Sequence, residues 1–248
     1  MVVELHRPPW DTPSGMRTGH HGTLCRVWEK ITMGMSGAGV YRGPGVYRKV
    51  TPQAKVEAAK LTWLRCQGLP APEVLDVCED WLLMAEVPGR SAAEPWPLEL
   101  RPKVIDAMAD VARALHALPV DECPYDRTLQ VTVPEHVSAC VASGGRVELG
   151  ELARAQPDHE DLVVTHGDLC VPNVLFDPET VAVTGIIDVA RLGRSDRYVD
   201  LAIATRSIGD ERLNPQYSGE FAGRFLLRYG IEPDPGKIAF YRGLDEFT

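Results

Sequence analysis

The chain has 248 residues, 44% of them hydrophobic, enough to bury one large domain or two smaller lobes. Its 35 acidic and 26 basic side chains give a formal charge of −9, which argues against nucleic acid or an anionic membrane as partner and leans toward a cationic ligand. No apolar run approaches the roughly 20 residues needed to cross a bilayer. The polar, proline-rich start "MVVELHRPPWDTPSG" is unlike a signal peptide, so a cytoplasmic chain with no obligate protein partner is expected.

In chain order, residues 1–22 read as a flexible arm, with His20 and His21 exposed rather than metal-bound. From Leu24, short β-prone segments broken by glycine ("TLCRVWEKIT", "MGMSGAG", "VYR", "GPG", "VYRKV") predict consecutive hairpins. A helix follows, with Thr51 as N-cap, Pro52 in its first turn and Gly68 as its stop. "EVLDVCEDWLLMAEV" supplies two more strands, and "PGRSAAEPWP" reads as a linker, so one lobe spans 23–88 and a second 89–248. Val104, Met108, Val111, Leu115 and Leu118 keep helical spacing until Pro119. Residues 128–156 are ambiguous, and "VASGGRVELG" reads as a loop between short helices. "VLF" and "VAVTGIID" flank the turn "DPET" as a small hairpin, and two helices close the chain. One carries Tyr217, Phe221 and Phe225, and the other starts at Pro235. The six scattered cysteines contain no CxxC, so neither a zinc site nor a disulfide framework is indicated; reduced, mostly buried thiols are expected.

The chemistry concentrates in "VVTHGDLCVPNVLF", where His166, Asp168 and Asn173 have the spacing H-x-D-x-x-x-x-N and Asp188 follows the hairpin. Phosphoryl transfer needs a carboxylate beside the acceptor hydroxyl and oxygen ligands that hold Mg2+ against nucleotide phosphates. Asp168 suits the first task, Asn173 and Asp188 the second. His166 fits as the residue that orients the loop. Upstream, strand alternation puts Lys49 on the face of Tyr47, from which it can reach α and β phosphates, with Glu57 on the next helix as its partner. The glycine loop "GMSGAG" precedes it, and Ser36 and Gly37 there can donate to phosphate oxygens. No A-P-E sequence follows Asp188, which favours a small-molecule kinase over a phosphorylation-switched protein kinase. At the carboxyl end, Asp245, Glu246 and the terminal carboxylate gather where a helix dipole is already negative; a polycation would offset that cost.

The stretch "VVTHGDLCVPNVLFDPETVAVTGIIDVARLGRSDRYVDLA", with "ARALHALPVDECPYDR", "ATRSI" and "FYRGLDEFT", resembles the aminoglycoside phosphotransferases, the 3'-branch in particular. The resemblance implies an α+β, two-lobed protein-kinase-like fold, with an N-terminal antiparallel sheet and one main helix followed by a mostly helical lobe. It further implies ATP or GTP as donor, Mg2+ as cofactor and a cationic antibiotic as acceptor. Lys49 and Glu57 stand at the family's matching positions, and Glu86 and Val87 in "MAEVPG" would meet adenine through main-chain groups. Asp200 would brace the catalytic loop. Arg206 would steady the terminal carboxylate, and Asp245 and Glu246 would hold drug amino groups. Two departures stand out: Val171 and Thr248 occupy places where the 3'-branch sometimes has a carboxylate and often an aromatic. The region 128–156 is short, and its acids Glu148 and Glu151 are candidates for the family's acidic substrate loop. Two alternatives remain open at this point: a kinase of a nucleoside, peptide or macrolide antibiotic, and a catalytically dead kinase-fold binding module.

Overall fold

A computed structural model describes residues 28–31, 39–142 and 154–246. The N-terminal arm, Ser36, Gly37, Glu148, Glu151 and Thr248 lie outside them. The chain forms two compact units: one takes the chain up to Ala58 with Glu73–Glu86, the other Ala59–Pro72 with everything from Val87 onward.

The first unit is an antiparallel sheet of β1 (Glu29–Ile31), β2 (Gly39–Gly43), β3 (Val46–Val50), β4 (Val74–Val77) and β5 (Trp81–Ala85), in the order β1-β2-β3-β5-β4. Pro44 and Gly45 turn β2 into β3; proline presets φ for the first position, and Gly45 takes φ +69°, open to glycine without a Cβ penalty. Alternation along β3 puts Arg48 on one face, its guanidinium 4.0 Å from the Trp81 ring centre, and Lys49 on the other. Helix α1 (Ala54–Cys66) starts two residues after Pro52, the expected first position. Thr51 still contributes, accepting the Gln53 N–H at 3.2 Å. After α1 the chain reverses at Gly68, φ +82°.

The second unit is built on α2 (Arg101–His116), α3 (Leu129–Ala142), α4 (Tyr198–Gly209), α5 (Gly219–Tyr229) and α6 (Pro235–Asp245). α2 buries Val104, Ile105, Met108, Val111 and Leu115; the predicted stripe gains Ile105 and loses Leu118, which lies past the end of the helix at His116 and is half-buried. It packs on α5, which packs on α4, which packs on α6. α2 and α5 also share two forked ion pairs, Asp106 with Arg224 (2.5 and 2.7 Å) and Asp110 with Arg228 (2.7 and 3.0 Å). Tyr217 stands ahead of α5 rather than on it, because Ser218 is extended (φ −151°) and the helix begins only at Gly219. Its hydroxyl donates to the Ala92 carbonyl instead.

Two small sheets carry the loops of interest. β6 (Arg90–Ser91), β8 (Val174–Phe176) and β9 (Val183–Ile186) form one, and β7 (Leu162–Thr165) with β10 (Gly193–Asp196) the other. The stretch read as a linker is therefore partly a strand. Gly89 (φ +143°) lies against the Phe176 carbonyl, and Trp96 is buried with its indole N–H on the Ser91 carbonyl. Strand β10 was not legible because "GRSD" lacks β-branched and aromatic residues. The described cysteines are free thiols, as expected, but Cys66 and Cys78 are exposed rather than buried.

Candidate active site

β7 runs into the loop His166–Asn173, whose backbone is fixed before its side chains act. Asp200, in the first turn of α4 and fully buried, accepts the N–H of His166 at 2.8 Å and of Gly167 at 2.9 Å. Gly167 takes φ +83°, and a Cβ there would sit 2.4 Å from the Arg191 carbonyl oxygen, so only glycine fits. The His166 ring accepts the Asp168 N–H at Nδ1 (3.2 Å) and donates from Nε2 to the Ile187 carbonyl (3.0 Å). Both ring nitrogens are committed, so His166 joins the Asp168 loop to the Asp188 loop and is not available as a base.

Asp200 has a further partner that motif reading missed. His116, at the end of α2, meets its Oδ2 at 3.1 Å through Nε2 and the Tyr229 hydroxyl at 2.8 Å through Nδ1. Tyr229 in turn accepts from Arg197 at 2.9 Å, and Arg197 pairs with Asp161. Satisfying every group sends the Tyr229 proton to Nδ1 and the Nε2–H to Asp200.

Asp168 is half-buried. Burial pushes its carboxyl above the ordinary range; His166 and Arg191 pull it down, while the charges of Asp188 and Asp245 push it further up. Asn173 is buried, and its Nδ2 donates to the Asp168 carbonyl at 2.9 Å and to its carboxylate at 3.4 Å. That fixes the amide so that Oδ1 is the atom left to face a cation. Asp188 has φ +60°, a left-handed conformation uncommon outside glycine and of the kind that clusters at functional sites. Beside Asp168, the Cys170 thiol is pushed far up by burial and by that carboxylate, so it is unsuited as a nucleophile. Val171, where a carboxylate was conceivable, is fully buried and gives its N–H to Ser207.

These groups suit Mg2+. Among the described residues no cluster of three His, Cys, Asp or Glu side chains is placed to hold a metal. Asp188 and the Asn173 amide are instead a sparse oxygen set, of the sort that serves an ion bringing phosphate and water oxygens with it.

In the first unit, Lys49 and Glu57 meet in a buried pair, Nζ at 3.0 and 2.9 Å from the two carboxylate oxygens. Glu86 has its N–H on the Gly45 carbonyl at 2.9 Å and its side chain on Arg42, so what it can offer a base is its carbonyl. Val87 belongs to the other unit, its side chain close to Gly185.

At the end of α6, Asp245 does not stand uncompensated. One oxygen takes Arg191 at 2.6 Å and the other takes Arg206. Two guanidiniums already answer the dipole's penalty, so that penalty no longer argues for a polycation by itself. Arg206 steadies the Asp245 side chain; its predicted target, the terminal carboxylate, lies outside the described residues. Glu246 caps the helix and is exposed. Between Asp245 and the catalytic loop, a cavity of about 40 Å³ is walled by Thr165, Gly167, Arg191 and Tyr241.

The fold is α+β and kinase-like, an antiparallel sheet unit followed by a mainly helical one, and phosphotransferases are among the solved structures it matches. The chain belongs to the phosphotransferase enzyme family, whose model matches residues 44–241. It is 43% identical to an aminoglycoside 3'-phosphotransferase of Streptomyces fradiae over 89% of this chain and 94% of the relative. A crystal structure of an aminoglycoside-3'-phosphotransferase of type VIII superposes with a TM-score of 0.81 at 41% identity, covering 89% of this chain and 94% of that one. Aminoglycoside phosphotransferase APH(3'')-Id of Streptomyces rimosus, in complex with ADP and streptomycin, matches at 33% identity and a TM-score of 0.70, over 89% and 92% of the two chains.

Proposed function

We propose that this protein transfers the γ-phosphate of ATP or GTP to a hydroxyl of an aminoglycoside antibiotic and so confers resistance. The observation that carries this reading is Asp168: a half-buried carboxylate whose main chain is held on both sides while its acid stays open to an incoming hydroxyl. Family membership and the relatives' names support the acceptor class.

Asp168 orients the attacking hydroxyl and accepts its proton; its raised pKa brings it nearer the working pH and makes it a better base than an ordinary aspartate. Lys49, steadied by Glu57, holds α and β phosphates. The carbonyl of Glu86 and the main chain of Val87 take the base. Asn173 and Asp188 hold Mg2+, which when bound neutralises charge on the phosphates. Catalysis then rests mainly on positioning and charge stabilisation, since phosphoryl transfer passes through a loose transition state. Asp245, oriented by its two arginines, and exposed Glu246 offer carboxylate oxygens to the drug's ammonium groups, in keeping with the overall charge of −9.

Purified protein incubated with Mg2+, ATP or GTP and a panel of aminoglycosides, macrolides, nucleoside and peptide antibiotics tests the reading. A mass gain of one phosphoryl group on an aminoglycoside alone is expected. Transfer to another class only, or hydrolysis with no transfer, overturns it.

A further inference from the structure

A buried lysine that the sequence motifs pass over sits at the middle of α1. Lys60 is 4% exposed, and its ammonium donates to the carbonyl of Ala190 at 2.6 Å and lies 5.3 Å from the centre of the Tyr125 ring. Burying an ammonium has a large desolvation cost, and an apolar side chain of similar volume would fill the same space without it. The place where the charge is applied supplies a reason for it.

Ala190 is two residues past Asp188, and Asp188 is held at φ +60°. Such a conformation is costly for a residue with a side chain and persists only where the surroundings over-determine it. On the N-terminal side the restraints are plain: the Ile187 N–H donates to the Asn173 carbonyl at 3.0 Å, and the Ile187 carbonyl accepts from His166 at 3.0 Å. On the C-terminal side, Leu192 N–H closes a turn on the Val189 carbonyl at 2.9 Å, and Lys60 grips Ala190 with a charge-assisted bond. The same turn carries Arg191, whose carbonyl lies against Gly167 and whose guanidinium holds Asp245. One anchored peptide thus sets both an acid proposed for the metal and an arginine that orients an acid proposed for the drug. Glu57 and Lys60 are three residues apart, on one face of α1.

We propose that Lys60 is a positioning residue for phosphoryl transfer, holding the Asp188–Arg191 turn in its strained, metal-ready form through the Ala190 carbonyl. The inference rests on the reading of Asp188 as a metal residue.

The test compares Lys60→Met, Lys60→Arg and, as a control on the same helix, Lys55→Met with the parent. Mn2+ binding in the presence of ADP is followed by electron paramagnetic resonance, with no turnover involved. Lys60→Met is expected to weaken Mn2+ at least ten-fold, to raise the Mg2+ needed for half-maximal activity by a similar factor, and to lower kcat at least ten-fold while KM for the aminoglycoside stays within three-fold. Lys60→Arg, which keeps a charged donor, recovers most of both, and Lys55→Met matches the parent. A Lys60→Met protein that melts cooperatively and keeps parental Mn2+ affinity and kcat overturns the proposal. If that variant does not fold, Lys60→Gln, with a donor but no charge, carries the same expectations and the same overturning result. A parent that phosphorylates no aminoglycoside defeats the functional reading, while the Mn2+ comparison still decides the role of Lys60.

Discussion

Two acidic regions of the second unit, the Asp168 loop and the end of α6, are compensated in different ways. Asp245 is met on both oxygens by arginines, so its charge is answered within the fold. Asp168 has its backbone held firmly, but its carboxylate meets burial and the charges of Asp188 and Asp245, offset by a long amide contact, the Cys170 thiol and the charges of His166 and Arg191, which leave its pKa raised. The fold tolerates one acid at a cost and cancels the charge of the other. An acid left under-compensated where its main chain is over-determined is the mark of a site kept for chemistry.

The largest effect that would sharpen this contrast is on turnover. Asp168→Asn should lower kcat by about 10³-fold, within the range for loss of a positioned base, with ADP affinity by calorimetry within a few-fold of the parent. Retained turnover would remove Asp168 from the base role. Next comes the loop's support. Gly167→Ala forces a Cβ onto the Arg191 carbonyl at positive φ and should cost about 2–3 kcal/mol, read as a fall in Tm of roughly 5–10 °C. An unchanged Tm would mean that the close approach is soft.

The pH profile follows from the raised carboxyl. A base must be deprotonated, so the acid limb of kcat should fall above the ordinary aspartate range near 4; a limb at the ordinary value breaks the assignment. For stability the sign is opposite to that of a salt-bridged acid. A folded-state pKa above the unfolded value favours folding at low pH, and the favour is lost as pH rises through the raised value. At neutral pH Asp168→Asn should therefore raise Tm even as it lowers kcat. The smallest effect is the mirror image. Asp245→Asn unpairs two partly exposed arginines and should lower stability by about 1 kcal/mol or less, while KM for the drug rises more than kcat falls. If the two asparagine variants moved Tm in the same direction, the contrast between the regions would be void.

Much of the site was legible because it is local. H-x-D-x-x-x-x-N lies in eight consecutive residues, and Lys49 and Glu57 are eight apart across a strand-to-helix turn. What escaped comes from distance: Arg191 reaches Asp245 across 54 residues, His116 reaches Asp200 across 84, and Lys60 reaches Ala190 across 130. No local periodicity encodes such partners. α3 bears out the short helix expected ahead of "VASGGRVELG", although Pro134 lies inside it and its mixed burial leaves no clean stripe.

The paired forks between α2 and α5 have a mechanical meaning. Aspartates four residues apart on one rod face arginines four residues apart on the other, running in the same direction, so the two rungs fit at a single longitudinal setting. Sliding either rod by one turn would strand one acid and one guanidinium. The surface ladder thus works as a vernier that fixes how far along α5 the ring of His116 finds Tyr229, and through them where the loop beneath Asp200 comes to rest.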